Sequence, residues 1–104
     1  MLPASQGGAA LDHAVPADTA SAAWKDEVFA ALESAGVAQV HYVPDAGHAT
    51  LIARAHAHPT MRAVPLTTEE EGVAGCVGAW LGGARAVLLM QSSGVGNCIN
   101  MLSL

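Results

Sequence analysis

A three-layer α/β/α fold around a parallel sheet is the class predicted for this 104-residue chain, and three observations predict it. Helix-like and strand-like segments alternate in the order α-β-α-β-α-β-α, which calls for parallel strands joined by right-handed helical crossovers. Residues 84–91 form a continuous apolar run of the kind buried on both faces of a parallel sheet. The length suits one domain, and 52% hydrophobic against 12% charged residues is a globular composition.

Residues 1–20 are rich in Ala, Gly, Pro and Ser without periodicity, and read as a disordered or loosely attached arm. The domain proper is expected over 21–104. Ser21 can cap a helix over 22–35, where Trp24, Val28, Leu32 and Ala35 share one face. Asp26 and Glu27 suit its positive end, and Gly36 suits its stop. Residues 37–43 are β-branched and aromatic, hence a strand, and Pro44-Asp45-Ala46-Gly47 makes a turn. Residues 49–58 read as helix with Leu51, Ile52 and Ala55 inward, ended by Pro59. A second short strand covers 61–66. Thr67 or Thr68 caps a third helix running to about Leu81. The apolar strand 84–91 empties into a glycine turn at 92–96, and a further helix begins at Asn97. Three strands make a small sheet with an edge that needs cover. The chain also stops inside its last helix, so the expectation is a domain incomplete at its C-terminus or covered by a partner.

The formal charge is −5, with only four Lys and Arg. Nucleic acid needs a basic footprint, so it is excluded as a partner, and an anionic membrane surface is disfavoured for the same reason. Residues 72–90 have membrane length but change texture at Gly82-Gly83, which fits a helix followed by a strand better than a span. Cys76 and Cys98 have no CxxC spacing and read as small buried hydrophobes of a reducing compartment. With no secretory signal in the first twenty residues, a cytoplasmic location is expected.

The chemistry-bearing residues gather at the ends of strands, where ligands sit in open α/β sheets. Glu69-Glu70-Glu71 opens the third helix. Thr68 with Glu71, or Thr67 with Glu70, matches a capping box, and one glutamate could instead face a ligand; spacing leaves both open. Gly72, Gly75, Gly78, Ala79 and Gly82 make a smooth helix face, suited to tight packing on the sheet or to a subunit interface. Gln91-Ser92-Ser93-Gly94-Val95-Gly96-Asn97 is neither a GxxxxGK[ST] loop nor a GxGxxG fingerprint, although its glycines permit positive φ and close approach of a ligand. His56 and His58 are two apart and lack the helical spacing of a zinc pair. His48, beside the Pro44–Gly47 turn, is a weak site candidate. The sequence assigns no metal ligand.

Taken in order, Tyr42-Val43-Pro44-Asp45, Pro65-Leu66-Thr67-Thr68-Glu69-Glu70-Glu71-Gly72 and Leu89-Met90-Gln91-Ser92-Ser93-Gly94-Val95-Gly96-Asn97 resemble the pyrimidine-binding domain of thiamine-diphosphate-dependent decarboxylases. The resemblance is strongest to the sulfopyruvate decarboxylase α subunit and the phosphonopyruvate decarboxylases, and spans about 22–104. It implies a partial pyrimidine-binding domain over 21–104. Through the Glu-x-Gly pattern it implies that Glu70 hydrogen-bonds N1′ of the cofactor's aminopyrimidine, leaving Glu71 to cap the helix with Thr68. It further implies that Pro44, Gln91, Gly94, Val95, Gly96 and Asn97 border the cofactor and that Asp45 relays a proton. The GDG…N signature that holds diphosphate and Mg2+ is missing, so both are expected on a partner, a β subunit in a hetero-oligomer or a second domain in a homodimer. The implied activity is carboxy-lyase action on a small 2-oxo acid, sulfopyruvate being favoured. Phosphonopyruvate decarboxylation and a non-catalytic assembly module are the alternatives.

Overall fold

A computed structural model describes residues 23–103. The expected arm over 1–20 and the cap at Ser21 lie outside the described residues. The chain divides into two compact units, residues 1–31 and 32–104. In the first, the described residues are helical, part of helix α1 at residues 23–34. Its buried side chain is Phe29, whereas Trp24, expected to face inward, is 42% exposed. The Trp24 ring lies beside the Lys25 ammonium, 5.8 Å from its centroid, a contact that suits an aromatic at the surface.

The second unit carries the sheet. Helix α1 ends where Gly36 takes φ 72°, a left-handed residue that a side chain would strain. The elements that follow are β1 (Val37–Tyr42), a 3-10 turn (Ala46–His48), α2 (Ala49–Ala57), β2 (Arg62–Pro65), α3 (Glu69–Leu81), β3 (Arg85–Leu89), a second 3-10 turn (Ser92–Gly94) and α4 (Val95–Leu102). The last helix begins two residues before the expected Asn97. All strands are parallel, in the order β2-β1-β3. Central β1 pairs on both edges, so Val40, His41 and Tyr42 are buried.

The apolar run of β3 is less buried than expected, its middle residues Ala86, Val87 and Leu88 being half-buried. It pairs with β1 alone among the described strands, Arg85 is exposed, and only Leu89 is buried. Apolar content reports how much a strand can bury, while position in the sheet depends on which neighbours pair with it.

Successive strand residues point to opposite faces, and β1 shows what covers each. The Tyr42 hydroxyl is 2.7 Å from His56 Nε2 on α2. His41 lies under Gly75 of α3, where a Cβ would come within 2.5 Å of its ring carbon Cε1. Helices α2 and α3 therefore cover opposite faces, and the three-layer α/β/α arrangement holds, as right-handed crossovers running in opposite directions, from β1 to β2 and from β2 back to β3, require. The glycine face of α3 divides by function. Gly75 sits on His41 and Gly72 on Leu66 and Leu88, whereas a Cβ at Gly78 would meet nothing. Among the described helices none is long and apolar enough to cross a membrane.

Candidate functional site

Because the strands are parallel, the segments leaving Tyr42, Pro65 and Leu89 emerge at one edge of the sheet. The first turn of α3 stands there. Thr68 is its N-cap: the Oγ1 accepts from the Glu70 backbone N–H at 3.1 Å. Glu71 Oε1 accepts from the backbone N–H of Thr67 at 2.8 Å and of Thr68 at 3.1 Å, completing the capping box. The hydrogen bond from the Thr67 backbone holds the Glu71 carboxyl below its ordinary value of 4.5, with Thr68 adding to it. The register with Thr67 as cap is not used.

Glu69, one residue into the helix, is half-buried and turns toward the glycine turn. Its Oε1 accepts from Asn97 Nδ2 at 2.8 Å, and its Oε2 lies so close to Gly94 that a Cβ there would approach to 2.6 Å. Glu70 is exposed, and its carboxylate accepts no hydrogen bond from the described residues. Beneath this turn Cys98 is fully buried, its thiol 3.5 Å from the Gly94 carbonyl. Burial pushes that thiol up, and the nearby Glu69 and Glu70 carboxylates push it further, so it remains a neutral packing group.

A second cluster joins the loops after β1 and β3. Gln91 Nε2 donates to Asp45 Oδ1. Asp45 Oδ2 is 3.5 Å from His48 Nδ1, and both side chains are mostly buried. Ser93 Oγ reaches Gln91 Oε1 at 3.4 Å. Pro44 is exposed beside this cluster in sequence.

The structure thus pairs Asp45 with Gln91, and Gly94 with Asn97 through Glu69. Val95 is 49% exposed, and a Cβ on Gly96 would find open space. Positive φ, which the turn's glycines permit, is not used at Gly94, whose φ is −72°; what requires glycine there is the Glu69 carboxylate against it. Glu69 and Ser93 were not singled out individually from the sequence. Their partners lie along other segments, and a lone acidic residue at a helix start signals only a favourable dipole. His56 bonds Tyr42, and His58 pairs with Glu33 at 3.1 Å, so both serve packing between elements. No group of three or more metal-ligating side chains occurs among the described residues.

A separate apolar cavity of about 480 Å³ lies between α3, β3 and α4, lined by Val73, Val77, Trp80, Leu88, Met90 and Leu102 among others. Its titratable lining groups are the Cys76 and Cys98 thiols, both pushed up by burial, and it holds no carboxylate or imidazole, so it is not the chemical site.

No protein-family model matches the chain, and no solved structure matches it. Curated sequences do. It is 40% identical over 77 residues to the sulfopyruvate decarboxylase subunit alpha of Methanococcus maripaludis, covering 74% of this chain and 46% of that protein. It is 36% identical over 78 residues to the same subunit of Methanothermobacter thermautotrophicus, covering 75% and 47%. The chain is a relative of these decarboxylases. The phosphonopyruvate decarboxylase of Streptomyces viridochromogenes is 38% identical over 77 residues, 74% of this chain and 19% of that protein. The chain therefore spans about half the length of the sulfopyruvate decarboxylase subunits it matches.

Proposed function

We propose that this chain is a pyrimidine-binding subunit, or part of one, of a thiamine-diphosphate-dependent 2-oxo acid decarboxylase. Sulfopyruvate is the favoured substrate, converted to sulfoacetaldehyde and carbon dioxide, and the enzyme works in the cytoplasm. The observation that carries the reading is the division among the glutamates. Glu71 is committed to the helix cap and Glu69 to Asn97, so Glu70 alone has a carboxylate free for a ligand. The relatives named above support the same reading, and phosphonopyruvate is the alternative substrate that one of them favours.

The residues fit the cofactor. Glu70 would hydrogen-bond N1′ of the aminopyrimidine, and the open space above Gly96 would admit a flat ring beside Val95. Gly94, Asn97, Gln91 and Pro44 would border it. A carboxyl closed off from water by the bound ring and a partner would resist ionising, which suits sharing a proton with a ring nitrogen. When bound, thiamine diphosphate supplies the nucleophilic carbon and the electron sink that a 2-oxo acid needs to lose carbon dioxide. Diphosphate and Mg2+ would be held by a β subunit or by a second domain in a homodimer.

The test is to combine the chain with a candidate diphosphate-binding chain, thiamine diphosphate, Mg2+ and sulfopyruvate, and to measure carbon dioxide release. Wild-type turnover with loss in Glu70→Gln is expected. Full activity in Glu70→Gln would overturn the role of that residue.

A further inference from the structure

We propose that Glu69 is a positioning residue. Through Asn97 it latches the glycine turn onto the first turn of α3, so that the two walls bordering a bound pyrimidine keep a fixed spacing. The inference rests on the decarboxylase reading and deepens it, giving a role to a glutamate that the reading leaves outside the chemistry.

Three observations carry it. The first is that Glu69 bridges two helices with both of its oxygens. Oε1 accepts from Asn97 Nδ2 on α4 at 2.8 Å, and Oε2 lies so close to the buried Gly94 that a Cβ there would approach to 2.6 Å. The second is that α4 has no polar start of its own. Its N-cap Gly94 offers no side chain, and no acidic residue stands in its first turn, whereas α3 has three. The Glu69 carboxylate brings to α4 the negative charge that a helix N-terminus favours. The third is that packing between the two helices is incomplete beside this bond. The apolar cavity is lined by Val73, one turn beyond Glu69, and by Cys98, the neighbour of Asn97. A void leaves dispersion contacts unmade on its walls, so the polar bond carries more of the attachment.

Glu70 follows Glu69 directly in the chain, so the latch sets where the glycine turn stands relative to the carboxylate that would meet N1′. The other end of the turn is tied separately, Gln91 to Asp45. A site that is assembled before its ligand arrives has little left to order on binding. One that is assembled only part of the time binds more weakly in proportion to that fraction. The latch therefore acts on cofactor affinity, and much less on the chemistry once the cofactor is bound.

Reversing the polarity of the bond tests this. Asn97→Asp sets two carboxylates against each other and should open the latch. Adding Glu69→Gln lets the new amide donate to the new carboxylate and should close it again. In the chain alone, amide hydrogen exchange at residues 94–99 should quicken about 10-fold in Asn97→Asp and return toward wild type in the double variant. Exchange at Val40 and Tyr42 in central β1 should stay unchanged, which marks an intact sheet. Should Asn97→Asp loosen β1 as well, Asn97→Ala, which removes the donor without adding charge, takes its place and should quicken 94–99 alone. In the assembly with a diphosphate-binding chain, the thiamine diphosphate concentration for half-maximal carbon dioxide release should rise about 10-fold in Asn97→Asp, and kcat should fall much less. The double variant should recover the wild-type requirement. Unchanged exchange at 94–99, or a double variant no better than Asn97→Asp, overturns the latch. A lower kcat with an unchanged cofactor requirement overturns its action on affinity. A wild-type assembly inert with every diphosphate-binding partner overturns the decarboxylase reading instead, while the exchange result still decides whether the latch exists.

Discussion

Successive residues on an α-helix point about 100° apart, so Glu69, Glu70 and Glu71 meet three different surroundings. Substituting them should give three different results. Glu70→Gln should leave the melting temperature nearly unchanged, because its carboxylate holds nothing in the chain, and should lower decarboxylation about 100-fold in the assembly. Glu71→Gln should do the reverse, lowering the melting temperature while sparing cofactor chemistry. Its pH signature follows from the Thr67 hydrogen bond. The folded carboxyl sits below 4.5, so its contribution is present above that pH and is lost as pH falls through the folded value. Melting curves of Glu71→Gln should accordingly flatten below about pH 4.5 relative to wild type. Spacing alone offered two capping registers and no means of choosing between them; the resemblance chose Thr68 with Glu71, the pair the structure shows. The choice depends on where the chain leaves β2, which sets whether Thr67 or Thr68 starts the helix.

At the level of elements, the seam between α3 and the sheet rests on glycines with different surroundings. Gly75→Ala would drive a methyl group into the buried His41 ring, and a cost of about 1–3 kcal/mol is expected from such overpacking. Gly78→Ala, in the same helix but facing open space, should stabilise by up to about 1 kcal/mol. Urea denaturation of the two variants would show opposite signs. The glycine spacing was readable from the sequence; which glycines touch the sheet was not, because that depends on the rotation of α3 against β1. His41 carries a pH dependence of its own. Burial holds it below 6.5, so the native state keeps the ring neutral while the unfolded chain takes a proton. Stability is then full above pH 6.5 and declines as pH falls below it, and His41→Gln should remove that part of the decline in thermal melts.

Across the whole molecule, strand and helix order was legible because alternating periodicity is a local signal. The pairing of Asp45 with Gln91 and of Glu69 with Asn97 was not, since each bridges separate segments that only the sheet brings together. Nor was the exposed apolar face on α3 and α4, where Trp80 is 69%, Leu81 81%, Ile99 64% and Leu102 67% exposed. Their apolar character alone reads as core. A face of this kind promotes association, so the isolated chain should self-associate in light scattering, and Trp80→Lys should reduce it. The cap at Thr68 reaches further than the stability it adds, about 1 kcal/mol by comparison with other threonine caps. Glu70 lies within the turn that this cap closes, and the ends of helices are the first parts to open on warming. Function should therefore be more heat-sensitive than fold: in Thr68→Ala, turnover should fade at temperatures where circular dichroism still records an intact sheet.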